Sequence, residues 1–166
     1  MLQTILSLLG PAVLQRLTLL VNHLLMAEPQ AMQRLLPHSG KRLRVAFTDW
    51  PSLLPAPPAA VFCVTPAGLL EWSAEDKAGA ELPAALQLRI AAPNPALLMA
   101  RLAAGERPDV DVQGEAQFAA DVHWLAENLR WDLEGDLARV LGPLAARQIS
   151  SLGAAVAAGL RRWVPQ

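Results

Sequence analysis

The hydrophobic pattern of this chain changes period twice, and that change constrains its fold more than any other feature. Up to residue 36 the apolar residues recur at three- and four-residue steps, through Leu2, Ile5, Leu6, Leu9, Val13, Leu17, Leu20, Leu24 and Leu25. That spacing draws one stripe along a helix, which Gly10-Pro11 should break or kink. A short helical segment from Pro29 to Leu36 follows and ends at Pro37-His38-Ser39-Gly40. From Lys41 to Thr48 the period drops to two, with Leu43, Val45 and Phe47 alternating against Arg42, Arg44 and Thr48, which is the pattern of a half-buried strand.

The middle of the chain reads as more sheet. Four prolines between Asp49 and Pro58 make that stretch a loop. Ala60 to Thr65 and Gly68 to Ser73 are short apolar runs around the turn signal Pro66-Ala67-Gly68, so they form a hairpin. Ala84 to Ala91 alternates again on Leu86, Leu88 and Ile90. Asn94 and Pro95 cap a helix running to Ala104, and Asp109 to Gln113 makes a fifth short strand on Val110 and Val112. Glu115 to Trp131 then returns to helix with the stripe Phe118, Val122, Leu125 and Leu129; two further helices follow, to Leu141 and over Leu144 to Val164. The expected class is α+β: about five strands in a mixed or antiparallel sheet, covered by helices, with helical segments at both ends.

Composition removes several functions. Hydrophobic residues make up 53 % of the chain and charged residues 17 %. Its 31 Leu and 30 Ala account for much of this apolar excess, and 12 Arg against two Lys points to codon bias as part of the cause. Arg16, Asn22 and His23 interrupt the greasiest stretch, so no membrane span is expected, and no basic segment precedes it to make a signal peptide. A net charge of −1 gives no electrostatic footprint for nucleic acid. The lone Cys63 can form no internal disulfide.

Catalytic signals are absent. His23, His38 and His123 lie on separate segments, and Asp121, His123 and Glu127 form the one local cluster, too few ligands for a metal site. Cys63 sits in an apolar strand, Ser39, Ser150 and Ser151 lie in no nucleophile elbow, and no phosphate-binding glycine loop occurs. Trp124 and Trp131 stand off the apolar stripe of their helix and suit either packing against a neighbour or a ligand or partner surface. The small-residue run from Gly153 to Gly159 would allow close approach of a helix or an acyl chain.

The order of elements resembles the sterol carrier protein 2 domain family. The resemblance rests on a leading helix, a strand opening Gly40-Lys41-Arg42-Leu43-Arg44-Val45, a meander, a helix, the strand Val110-Asp111-Val112-Gln113-Gly114 and a long helix. Within that family, the segment Trp131-Asp132-Leu133-Glu134-Gly135-Asp136-Leu137-Ala138-Arg139-Val140-Leu141-Gly142 is similar to the UbiJ group of ubiquinone biosynthesis accessory factors. The resemblance implies a helical segment over 1–39, a sterol-carrier-like lipid-binding domain over 40–141 and a C-terminal helix over 142–166. It implies a non-enzymatic lipid carrier without cofactor, metal or catalytic residues, which holds polyprenylated quinone precursors or other lipids in an apolar tunnel and presents them to a soluble complex of ubiquinone-biosynthesis enzymes. It further implies a cytoplasmic location, transient contact with the inner membrane surface and a small helical partner of the UbiK type, although no charged heptad segment follows Trp163. The side chains that alternation and helical register turn toward such a tunnel include Phe47, Phe62, Leu86, Leu88, Ile90, Leu98, Leu102, Phe118, Val122 and Leu125, among apolar core positions such as Leu43, Val45 and Leu97. The alternative is a protein-interaction scaffold with a solid core and no lipid cargo.

Overall fold

The computed structural model describes residues 2–54, 56–57, 59–73 and 83–129. Trp131, the segment to Gly142, the expected helices beyond it and the Gly153 to Gly159 run lie outside these residues. Within them the chain is α+β. Helices α1 (Leu2–Ala27) and α2 (Pro29–Leu35), with a 3-10 turn Leu36–His38, lead into strands β1 (Arg42–Thr48), β2 (Ala60–Val64), β3 (Leu70–Ser73) and β4 (Leu86–Ala91). Helix α3 (Pro95–Ala103), strand β5 (Val110–Gly114) and helix α4 (Ala116–Asn128) complete the order.

The five strands form one sheet in the order β3-β2-β1-β4-β5. β1 with β2, β2 with β3, and β4 with β5 pair antiparallel. β1 and β4 run the same way: the Ala85 amide donates to the Arg42 carbonyl at the start of β1, and the Ala92 amide donates to the Thr48 carbonyl at its end. The sheet is therefore mixed. By contacts the described chain divides into two units, one built from residues up to Phe47, Pro57–Ile90 and from Val110 onward, the other from Thr48–Ala56 and Ala91–Asp109.

The first unit holds the core. Cross-strand register places Leu43 opposite Phe62 and Val45 opposite Ala60, then Phe62 opposite Trp72 and Val64 opposite Leu70, so one face of the sheet is apolar. Leu43, Val64 and Leu86 on that face bury against Leu25 of α1, Ala31 and Leu35 of α2, and Phe118, Leu125 and Leu129 of α4 and its end. Each such large side chain contributes about 1.5–3 kcal/mol by leaving water. The stripe read from α4 is thus a core stripe, and Asn94 caps α3 as its sequence suggests, accepting from the Leu97 amide at 3.1 Å.

Helix α1 is not broken at Gly10-Pro11; it runs through with Pro11 inside. Proline removes one amide donor, a local loss in a helix of 26 residues whose later turns are anchored elsewhere. One anchor is Asn22. Its side-chain amide donates to the Leu70 carbonyl at 2.7 Å and accepts from the Leu70 amide at 2.8 Å, so it satisfies the outward peptide groups of Leu70, at the start of β3, as a neighbouring strand would. No helix among the described residues is long and apolar enough to cross a membrane.

The β2–β3 hairpin turns through Thr65 to Gly68, closed by the Thr65 amide on the Leu69 carbonyl at 2.8 Å. Gly68 has φ +75°, and a Cβ there would stand 2.4 Å from the backbone carbonyl oxygen of Met32 in α2. Gly40 has a similar φ of +80° but open space where its Cβ would be. Gly68→Ala is therefore expected to cost more stability in denaturant melts than Gly40→Ala, which carries only the left-handed penalty of about 1–2 kcal/mol. Equal losses would show that α2 does not press on the turn. Asn22→Ala is expected to lose about 1–3 kcal/mol in the same melts, because it strands the Leu70 peptide groups.

Candidate functional site

The apolar face of the sheet is closed at one end and open at the other. At the closed end Leu86 and Phe118 are fully buried and Leu125 nearly so, while Leu88 and Val122 pack against that core half-buried. Phe62 is also half-buried, between its cross-strand neighbours Leu43 and Trp72. At the other end the cover thins. Phe47 near the end of β1 is 39 % exposed, and Val110 and Val112 of β5 are 38 % and 46 % exposed. Register sets Val110 opposite Ile90 and Val112 opposite Leu88, so the two valines continue the same apolar face. Because β1 and β4 are parallel and end together, Phe47, Ile90 and Val110 form one row across the sheet.

Leu98 and Leu102 lie in the second unit. With Leu97 they floor a cleft of about 260 Å³, walled by Ala91, Pro93 and Pro108 and rimmed by Asn94, Arg101, Arg107 and Asp109. Arg101 also faces Glu106 at 3.7 Å. Ligand pockets for drug-sized molecules run to about 300–1,000 Å³, so this cleft has room for only part of a long-chain molecule.

The sequence pattern missed a buried polar network in the first unit. His38 is 2 % and Asp121 5 % exposed. His38 Nε2 lies 2.8 Å from Asp121 Oδ2, Arg34 donates to Asp121 Oδ1 at 3.0 Å, and Gln117 donates to Oδ2 at 3.2 Å. Lys41 Nζ is 3.5 Å from His38 Nδ1 and forms an ion pair with Glu115 at the start of α4. The His38 ring stacks on Phe118 at 4.5 Å between centroids, and the Arg34 guanidinium lies 4.3 Å over the Trp124 ring. The available signal was Asp121 itself: it stands three residues after Phe118 and four before Leu125, on the apolar stripe, where an acid needs a partner.

Asp121 and His123 do not converge. Asp121 faces the network, whereas His123 is exposed and pairs with Glu127 one turn on at 3.4 Å. Among the described residues no group of three or more His, Cys, Asp or Glu side chains could hold a metal ion. Cys63 is half-buried on the sheet face opposite the core, across from Arg42 and Glu71. Trp124 belongs to the core margin, and Trp131 lies outside the described residues.

No protein-family pattern and no curated protein sequence matches this chain. A solved structure described as a UbiJ-SCP2 ubiquinone synthesis protein is similar to it. The match has 21 % identity and a TM-score of 0.46, and it covers 72 % of this chain and 97 % of that one.

The polar network is built for holding position, since its buried members are saturated by one another. Burial alone would push the Asp121 carboxyl up, but hydrogen bonds from His38, Gln117 and Arg34 outweigh it and hold the group below its ordinary value. A carboxyl depressed in the native state stabilises the fold fully above its unfolded pKa of about 3.9 and loses that contribution as pH falls through the lower native value. Asp121→Asn is therefore expected to cost about 1–3 kcal/mol near neutral pH. The gap between wild type and variant should narrow as pH falls below about 4. A gap of constant size across that range in urea melts would show that the carboxylate charge contributes nothing.

Proposed function

We propose that this chain is a non-catalytic accessory factor of ubiquinone biosynthesis, of the sterol carrier protein 2 type. In this reading it binds polyprenylated intermediates on the apolar face of its sheet and presents them to the soluble enzymes that modify their head groups. It acts in the cytoplasm, with transient contact at the inner membrane surface where the prenylated precursor originates. A UbiK-like helical protein is a candidate partner in the same assembly. The domain expected over 40–141 is the lipid-binding part.

The observation that carries the reading is the open end of the sheet. Phe47, Ile90, Val110 and Val112 lie on the face that elsewhere forms the core, yet Phe47 and both valines remain exposed. A polyprenyl tail stays in water only by burying its surface, at about 0.8 kcal/mol per methylene-sized unit. An apolar sheet face continuous with a core supplies such a surface without charged groups to desolvate. The order of strands and helices that resembles the sterol carrier family agrees with this. The scaffold reading draws on the closed end, where Leu86 and Phe118 leave no space for cargo.

Extraction of the purified protein with organic solvent and mass spectrometry of the extract separates the two readings. The carrier reading expects a prenylated phenol or quinone precursor, and loss of the gene should lower ubiquinone and accumulate an early prenylated intermediate. Phe47→Ser is expected to weaken binding of a fluorescent prenyl probe by about tenfold or more, the worth of one buried aromatic ring. Because Phe47 is partly exposed, the fold should persist. Repeated absence of lipid, with ubiquinone unchanged in the deletion, would leave the scaffold.

A further inference from the structure

The loop that follows β1 is uncharged beyond its first residue. No Asp, Glu, Lys or Arg stands between Asp49 and Glu71. Asp49 turns the chain out of the strand at a left-handed φ of +57°, a conformation that aspartate adopts more readily than most residues. The Leu54 amide then donates to the Pro51 carbonyl at 3.0 Å, which closes a β-turn with Ser52 and Leu53 at its corners. This turn holds Leu53 97 % exposed and Leu54 47 % exposed. Among the described residues no large apolar side chain is more exposed than Leu53.

A single surface leucine needs no explanation. Here the backbone that presents the pair is adapted as well. Residues 51, 55, 57 and 58 are proline and have no amide to strip of water, and the Leu54 amide is already bonded within the turn. Hydrocarbon excludes charges and unbonded amides alike, so a segment that enters it must bring few of either. A protein groove imposes neither condition, because it can supply partners for both.

We propose that the Ser52-Leu53-Leu54 turn dips into the surface of a lipid bilayer, with the two leucines among the acyl chains and Asp49 left on the water side. The proposal deepens the carrier reading and rests on it for its purpose, since a chain that collects polyprenylated cargo must reach the membrane that dissolves it. Chain order favours the same loop, which starts two residues after Phe47 of the apolar sheet face. The attraction is hydrophobic and not electrostatic. The turn brings no lysine or arginine, its base is acidic and the chain has a net charge of −1, so anionic head groups add nothing. Two leucines bury less than one acyl anchor, which itself binds only reversibly, so the contact is transient.

Flotation of the full chain with phosphatidylcholine vesicles at millimolar lipid is the test, repeated with vesicles that also contain phosphatidylglycerol. Binding is expected to be alike on both and to persist in high salt. Leu53→Glu should lower the partition coefficient about tenfold or more, the worth of one leucine withdrawn from hydrocarbon. Leu53→Trp should raise it several-fold, because an indole suits the bilayer interface. Circular dichroism should be the same for all three chains, since Leu53 is almost fully exposed. A full chain that stays off neutral vesicles overturns the proposal. So does binding that needs phosphatidylglycerol and is lost in high salt, or binding that Leu53→Glu leaves unchanged, the result expected if the leucines meet a protein instead. Lipid extraction reads the carrier function separately: prenylated lipid in the purified chain together with no vesicle binding removes the loop and leaves the carrier standing.

Discussion

A single buried carboxylate organises the closed half of the first unit. Asp121 sits in the middle of α4 on the side turned to the core, where an unpaired charge would be costly. Its partners come from far away in the chain: Arg34 from α2 and His38 from the 3-10 turn after it. Helix α2 has seven residues and proline at its start, too short to persist alone. It is held because Arg34 grips both Asp121 and the face of Trp124, while His38 is clamped between the Asp121 carboxylate and the Phe118 ring. The apolar contacts of Ala31 and Leu35 then fall into place against Phe118 and Leu125. Van der Waals packing could tolerate several rotations of α2; the hydrogen-bonded geometry at Asp121 tolerates far fewer.

That lock also explains why the apolar face differs from one end to the other. Helices α1, α2 and α4 all meet the sheet around Leu43, Val64 and Leu86. The Lys41–Glu115 ion pair ties the start of β1 to the start of α4 at this end. Farther along the strands the pattern of alternation continues unchanged through Phe47, Ile90, Val110 and Val112, but helices α1, α2 and α4 do not seal it, and Phe47 and both valines stay exposed. Identical sequence logic therefore yields sealed core at one end and accessible apolar surface at the other.

The five strands and the helices among the described residues were legible because each is local. Alternation marked β1 and β4, the Pro66-Ala67-Gly68 signal marked the hairpin, and Asn94-Pro95 marked the start of α3. What could not be read was whatever depends on residues distant in sequence. Asp121 and His38 are 83 positions apart, so nothing in either segment announces the other. Grouping Asp121 with His123 by proximity in sequence misleads, since residues two apart on a helix point away from each other. The alternation pattern leaves the run of β1 beside β4 open between a mixed and an antiparallel sheet, because pairing between strands distant in sequence leaves no local signal. The resemblance segment from Trp131 to Gly142 and the helices expected after it lie outside the described residues, so they add nothing to this comparison.

Polar residues set into apolar stripes prove to be the informative positions of this sequence. Asn22 interrupts the stripe of α1, and for a membrane span it would be only a defect. In the fold its amide stands in for a neighbouring strand at Leu70, the first residue of β3. Asp121 interrupts the stripe of α4 in the same way and supplies the acceptor on which α2 is fixed. Both cost desolvation, and both are offset by more than one hydrogen bond to groups that would otherwise lack partners. At the opposite sheet edge, β5 has no such residue reaching over it from the described chain. One amide side chain thus covers the outward peptide groups of Leu70 at the start of β3, whereas β5 stays exposed along its whole length.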